Sequence, residues 1–131
     1  MESVSGIGGV FFKCDDPEAT KAWYEKNLGV TVRRFGDEGS AHVFAWRPIN
    51  DPTAQAYTVW NPFKSTTKYF DPSTSDFMIN YRVTNLDAMI AQLNKFGIPI
   101  LGRQSWFNGQ FAWIVDLDGR KIELWEPAEG H

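Results

Sequence analysis

Tyr57-Thr58-Val59-Trp60-Asn61-Pro62 reads without a gap against Ile122-Glu123-Leu124-Trp125-Glu126-Pro127. Upstream, Phe44-Ala45-Trp46 echoes Phe111-Ala112-Trp113, and two expected helices end at Gly29 and Gly97. The offsets are 65, 67 and 68 residues. Landmarks that recur in order at nearly constant spacing point to a duplicated unit of half the chain. Duplicated halves place a cleft between them, so the repeat also suggests where a site would lie.

Length and composition bound the reading. The 131 residues suit one domain, and 43% hydrophobic with 15% aromatic content is ample for a packed core. Charged residues make up 22% with both signs mixed, which argues against disorder. A net charge of −3 argues against nucleic acid, whose binding needs a basic surface. No apolar run approaches the roughly 20 residues that span a bilayer. Met1-Glu2-Ser3 lacks a signal n-region, so a cytoplasmic protein is expected. Cys14, alone, can form neither an internal disulfide nor a zinc finger.

The first half opens with an alternating aromatic strand over 7–14. Asp16-Pro17-Glu18 suits a helix start, with Asp16 as N-cap, Ala19, Ala22 and Trp23 as the apolar face, and Gly29 past the end. Strands are expected over 30–35, 41–47 and 55–61, with a turn at Gly36-Asp37-Glu38-Gly39. Residues 62–76 are polar and without a period, a linker or a lid. The second half has a strand over 77–83, a capping box at Thr84-Asn85-Leu86-Asp87, and a helix with Leu86, Met89, Ile90, Leu93 and Phe96 on one face. Strands over 98–104, 110–116 and 120–126 follow, with turns at Asn108-Gly109 and Asp118-Gly119. Each half is β-α-β-β-β.

This plan resembles the vicinal oxygen chelate superfamily, the glyoxalase, bleomycin-resistance and dioxygenase group. The opening, Val10 to Gly29 with Asp16, Trp23-Tyr24 and Leu28-Gly29, is similar to the family's first strand and helix. The closing Asp116-Leu117-Asp118-Gly119-Arg120-Lys121-Ile122-Glu123-Leu124-Trp125 is similar to its final hairpin, with Leu117 where proline is usual. The resemblance covers nearly the whole chain. It implies an α+β fold, tandem βαβββ modules with strands curled into a concave half-barrel cleft. The domain would be 1–131, with module one about 5–62, linker 62–76 and module two about 77–127. A homodimer and a small-molecule ligand are likewise what the resemblance implies.

The family also implies a metal held by two His and two Glu, one of each from each half. Carried over residue by residue, those positions are Gly9, Thr58, Met78 and Glu123. Only Glu123 is a ligand of the expected kind. Catalytic zinc takes three protein ligands, and the chain's two histidines are His42 and the terminal His131. No cofactor is expected; a divalent metal completed by substrate oxygens stands as the alternative.

Alternation along the last strand puts Lys121, Glu123 and Trp125 on the concave side, opposite Ile122 and Leu124. A carboxylate in a partly apolar cleft has its pKa raised and suits a general base; an ion pair with Lys13, Arg82 or Lys121 suits it equally. Lys13 and Arg82 lie four residues beyond Gly9 and Met78, so period two puts them on the same face. There they would suit a carboxylate or phosphate ligand or a solvated rim. Phe11, Thr58, Trp60, Met78, Asn80 and Trp125 complete the expected ligand-binding set, Trp60 and Trp125 as repeat equivalents. The leading expectation is a metal-independent protein binding a small organic molecule in an apolar cleft. The alternative is a lyase, isomerase or dioxygenase, with Glu123 as base or with a metal.

Overall fold

The computed structural model describes residues 1–34 and 39–131. Its elements run β1 (Gly6–Cys14), α1 (Pro17–Leu28), β2 (Arg33–Arg34), β3 (Ser40–Trp46), β4 (Ala56–Lys64), β5 (Phe77–Arg82), α2 (Leu86–Lys95), β6 (Gly102–Trp106), β7 (Gly109–Val115) and β8 (Lys121–Pro127). The expected β-α-β-β-β order therefore occurs twice. Among the described residues, eight strands form one mixed sheet in the order β2-β3-β4-β1-β5-β8-β7-β6. β1 meets β5 antiparallel at the centre, and each carries its own parallel partner, β4 or β8. The two β-α-β-β-β halves thus share one continuous α+β sheet.

Both helices begin where a side chain can take an orphan amide. Asp16 accepts from the Ala19 N–H, and Pro17 follows at a position whose own N–H would be unpaired. In α2 the cap is Asn85, which accepts from the Ala88 N–H, rather than the Thr84 of the expected capping box. The Leu86 N–H is taken by Glu126 of β8, a tie between helix and sheet. Gly29 and Gly97 end the helices at φ 70° and 76°, the left-handed region that favours glycine.

The expected face of α2 is the one it buries, except for Phe96, which lies past the end of the helix and is exposed. Leu86 and Met89 pack with Val83, Ala112 and Leu124, flanked by Ile90, Leu93 and Ile122. Each such side chain contributes about 1.5–3 kcal/mol on burial. The expected face of α1 is not buried: Ala19, Ala22 and Trp23 are exposed, and Tyr24 packs on Trp60 instead. Alanines supply too little apolar area to orient a helix against an aromatic sheet.

Other bounds also differ. Among the described residues of the 30–35 strand only Arg33–Arg34 pair, and the strand over 98–104 is displaced to Gly102–Trp106. β4 continues through Pro62 to Lys64, because β1 pairs with it as far as Cys14. Phe35 and the turn expected at Gly36-Asp37-Glu38 lie outside the described residues.

Gly109 starts β7 at φ 139°, where a Cβ would come within 2.3 Å of the Glu126 carbonyl oxygen. Gly109→Ala should therefore lower stability by about 1–3 kcal/mol. Gly102→Ala is the control, because its nearest neighbour, Trp113, lies at 3.7 Å. Equal urea midpoints for the two variants would contradict this assignment.

Candidate functional site

The register of three strands builds the site around Glu123. In β5 and β8, Asn80 stands opposite Glu123, and in β7 and β8, Trp113 does. Their side chains share one sheet face, so both neighbours reach the carboxylate. Asn80 Nδ2 donates to Oε1 at 2.6 Å, and Trp113 Nε1 donates to Oε2 at 2.9 Å. The third donor comes from the 65–76 segment, whose Tyr69 hydroxyl donates to Oε2. Glu123 is only 2% exposed. Burial pushes its carboxyl above the ordinary glutamate value, although the three hydrogen bonds and the Lys121 charge pull the other way. Burial and the adjacent carboxylate together push the Tyr69 phenol far above its ordinary range.

Residues 65–76 do more than link the halves. Phe70 is fully buried against Phe11 and Met78, and Tyr69 stacks on Phe63 at 5.6 Å. Lys121 Nζ donates to the Tyr69 carbonyl oxygen at 2.7 Å and lies over the rings of Tyr69 and Trp113. Burial holds the lysine below its ordinary pKa. The segment closes one end of the concave face and leaves a cleft of about 380 Å³ beside it. Phe11, Phe63, Tyr69, Phe111 and Trp125 supply aromatic walls, with Val59 between them. Trp106, Phe107 and Asn108 reach in from the β6–β7 turn, and Glu123, Asn80 and Asn61 are polar groups of the lining.

Four of the expected residues line this cleft: Phe11, Asn80, Glu123 and Trp125. Met78 and Lys121 lie on the same side of the sheet, but they pack under or against the 65–76 segment. Lys13 holds its ammonium 5.5 Å from the Phe70 ring. Arg82 sits between Trp46 and Trp125 and donates to the carbonyl oxygens of Tyr57 and His131. The expectation that Lys13 and Arg82 face a ligand is thus corrected. Both heads are held at the ends of the concave face by aromatic rings, and for Arg82 also by carbonyls.

Thr58 and Trp60 require a second correction. In β4 the cleft-facing residues are Val59, Asn61 and Phe63, so alternation turns Thr58 and Trp60 to the other side. Thr58 accepts from Trp46 Nε1 and donates to the Ile7 carbonyl, while Trp60 packs on Tyr24 and Phe12. The gapless repeat is out of phase with the sheet. Phe11 and Asn80 stand equally far before the caps Asp16 and Asn85, and their parallel partners are Asn61 and Glu123. Asn61 is therefore the first-half counterpart of Glu123. Spacing along the chain does not reach it, because the caps are 69 residues apart and Asn61 and Glu123 only 62; the strand register is what pairs them. No sequence signal marked Tyr69 or Phe70, which sit in a polar stretch without a period.

The residues do not fit the metal that the resemblance implies. The four positions become Gly9, Asn61, Met78 and Glu123. Gly9 has no side chain, Met78 is buried beneath Phe70, and Asn61 is neutral. Both Glu123 oxygens already accept hydrogen bonds. Among the described residues no group of three or more His, Cys, Asp or Glu could hold a metal ion.

A family model described as Glyoxalase/Bleomycin resistance protein/Dioxygenase superfamily matches residues 6–124. The chain belongs to this superfamily. Its fold is shared by methylmalonyl-CoA epimerase from Mycobacterium tuberculosis, at 24% identity and TM-score 0.58, covering 95% of this chain and 89% of that one. A variant of the Streptomyces coelicolor epimerase in complex with 2-nitronate-propionyl-CoA gives TM-score 0.69 at 16% identity, covering 97% of both chains. A superfamily member from Vibrio splendidus 12B01 gives TM-score 0.56 at 13% identity, covering 96% and 99%. No curated protein matches in sequence. No helix among the described residues is long and apolar enough to cross a membrane.

Proposed function

We propose that this superfamily member binds a small, largely apolar organic molecule in the cleft, without a metal, and that Glu123 is its polar anchor. One observation carries this reading. A single buried carboxylate, fixed by Asn80, Trp113 and Tyr69, lies in the floor of an aromatic cleft large enough for a small ligand. A CoA thioester is a poor match, because its phosphates call for cations and no Lys or Arg lines this cleft among the described residues. Nile red, a neutral apolar fluorophore, is a suitable probe. Its emission should rise on addition of the protein and saturate. Val59→Trp, which fills the cleft, should abolish the rise while the far-UV circular dichroism stays unchanged. Uptake that persists in Val59→Trp would locate binding elsewhere and end this proposal.

A second reading is proton abstraction by Glu123, favoured by the upward shift of its pKa. Glu123→Gln keeps the shape but cannot take a proton. Turnover of any substrate found for the cleft should vanish in that variant, and retained turnover would remove Glu123 as a base.

A further inference from the structure

The polar atoms of the cleft are matched to a particular kind of partner. Glu123 can only accept as a carboxylate, so Asn80 turns its amide nitrogen toward it. The Asn80 oxygen, Oδ1, is then left buried with no donor among the described residues. Asn80 is 2% exposed, and Oδ1 occupies the space beside Gly8 that a side chain there would need, coming within 2.1 Å of an added Cβ. Gly8 and Asn80 both line the cleft. A second orphan acceptor, Asn108 Oδ1, belongs to another lining residue. Glu123 Oε1 accepts only one hydrogen bond, so it keeps a free lone pair. The Tyr69 hydroxyl spends its proton on Oε2 and likewise retains acceptor capacity.

The nearby cations are committed elsewhere. Lys121 binds the Tyr69 carbonyl and is shared electrostatically between Glu123 and Asp71. Arg82 is spent on two carbonyls, and Lys13 lies over Phe70. The lining therefore combines one carboxylate, the two orphan acceptors and the side-chain amide of Asn61, and holds no cation among the described residues, walled by Phe11, Phe63, Phe111 and Trp125. A buried acceptor without a donor costs about 1–3 kcal/mol, so a ligand that brings N–H groups recovers that cost. A cation over aromatic faces and against a carboxylate gains further attraction.

We propose that the cleft is selective for an organic ammonium, an N–H-bearing amine cation carried on an apolar or aromatic body. This rests on the reading of the cleft as a small-molecule site. Benzylamine, benzyl alcohol and benzoate share one ring and differ in the group presented, so they separate the alternatives by displacement of Nile red at pH 7. The ammonium should displace the dye at a concentration about tenfold lower than the alcohol, with benzoate weakest. Benzyltrimethylammonium, which keeps the charge but has no N–H, should fall between benzylamine and the alcohol. In Glu123→Gln the preference for the amine should fall below about twofold, because the charge is gone and the new amide can supply a donor to Asn80 Oδ1. Equal displacement by all three compounds, or preference for benzoate, overturns the ammonium assignment and leaves the cleft reading standing. Absence of Nile red uptake by the unaltered protein removes both. Equal binding of benzylamine and benzyltrimethylammonium removes the orphan acceptors as the source of selectivity.

Discussion

Phe70→Ala should destabilise the protein by about 3–5 kcal/mol, the range for truncating a fully buried aromatic side chain. Phe70 is 0% exposed, and its ring lies 5.3 Å from that of Phe63 and packs on Phe11 and Met78. The loss includes both transferred apolar area and the cavity left between strands that cannot close it, because β1, β4 and β5 are held in register. The effect also reaches the site. Phe70 adjoins Tyr69, whose hydroxyl is one of the three donors to Glu123, so loosening Phe70 loosens that bond. Urea unfolding should show a lower midpoint, and amide exchange should quicken across residues 65–76. A loss below about 1 kcal/mol would mean that this segment is not anchored through Phe70.

The contrast between Phe70 and the α2 face marks what the sequence made readable. Leu86, Met89 and Leu93 announce themselves through the helical period, and Asp16, Gly29 and Gly97 through capping chemistry. These local signals carried the element order and, with the motif at Asp116–Trp125, the family. Phe70 is seated by a pairing between distant strands that no local pattern records. Around it, Asp71-Pro72-Ser73 has the composition of a loop.

The site was legible to the extent that it sits on a strand with clean alternation. Glu123 and Trp125 lie where period two put them because β8 is regular. Thr58 and Trp60 do not, because matching short phrases fixed their phase, and a one-residue slip exchanges the two faces of a strand. The Gly6–Gly9 stretch of β1 has its own irregularity, a register shift between Ile7 and Gly9. Gly8 consequently faces Asn80 and Trp125, and its missing side chain makes room for the Asn80 amide. For Lys13 and Arg82, alternation gave the side of the sheet but not the end point of the head group. Long side chains settle their heads on whatever rings and carbonyls lie within reach.

Glu123→Gln should change the pH dependence of stability in a definite direction. Burial raises the folded-state pKa of Glu123 above its ordinary value. The folded state therefore holds this proton more tightly than the unfolded chain does. The stabilisation linked to Glu123 is fully present below the unfolded pKa and is lost as pH rises through the folded value. Each pKa unit between the two states is worth about 1.4 kcal/mol. Glutamine has nearly the same shape and does not titrate. Its oxygen can serve Tyr69 and Trp113, and its amide can face an Asn80 turned to present Oδ1, which satisfies an acceptor that is orphaned beside Glu123. Wild type minus Glu123→Gln should accordingly fall as pH is raised from 4 toward 8, with the variant the more stable at the alkaline end. Asp116 shifts the opposite way, lowered by backbone and side-chain hydrogen bonds from Arg120, but both proteins carry it and it cancels in the difference. Urea unfolding of both at pH 4, 6 and 8 measures that difference. A value that is flat with pH, or that rises, would mean that the carboxylate is solvated or ion-paired, and Glu123 would then lose its standing as a buried anchor.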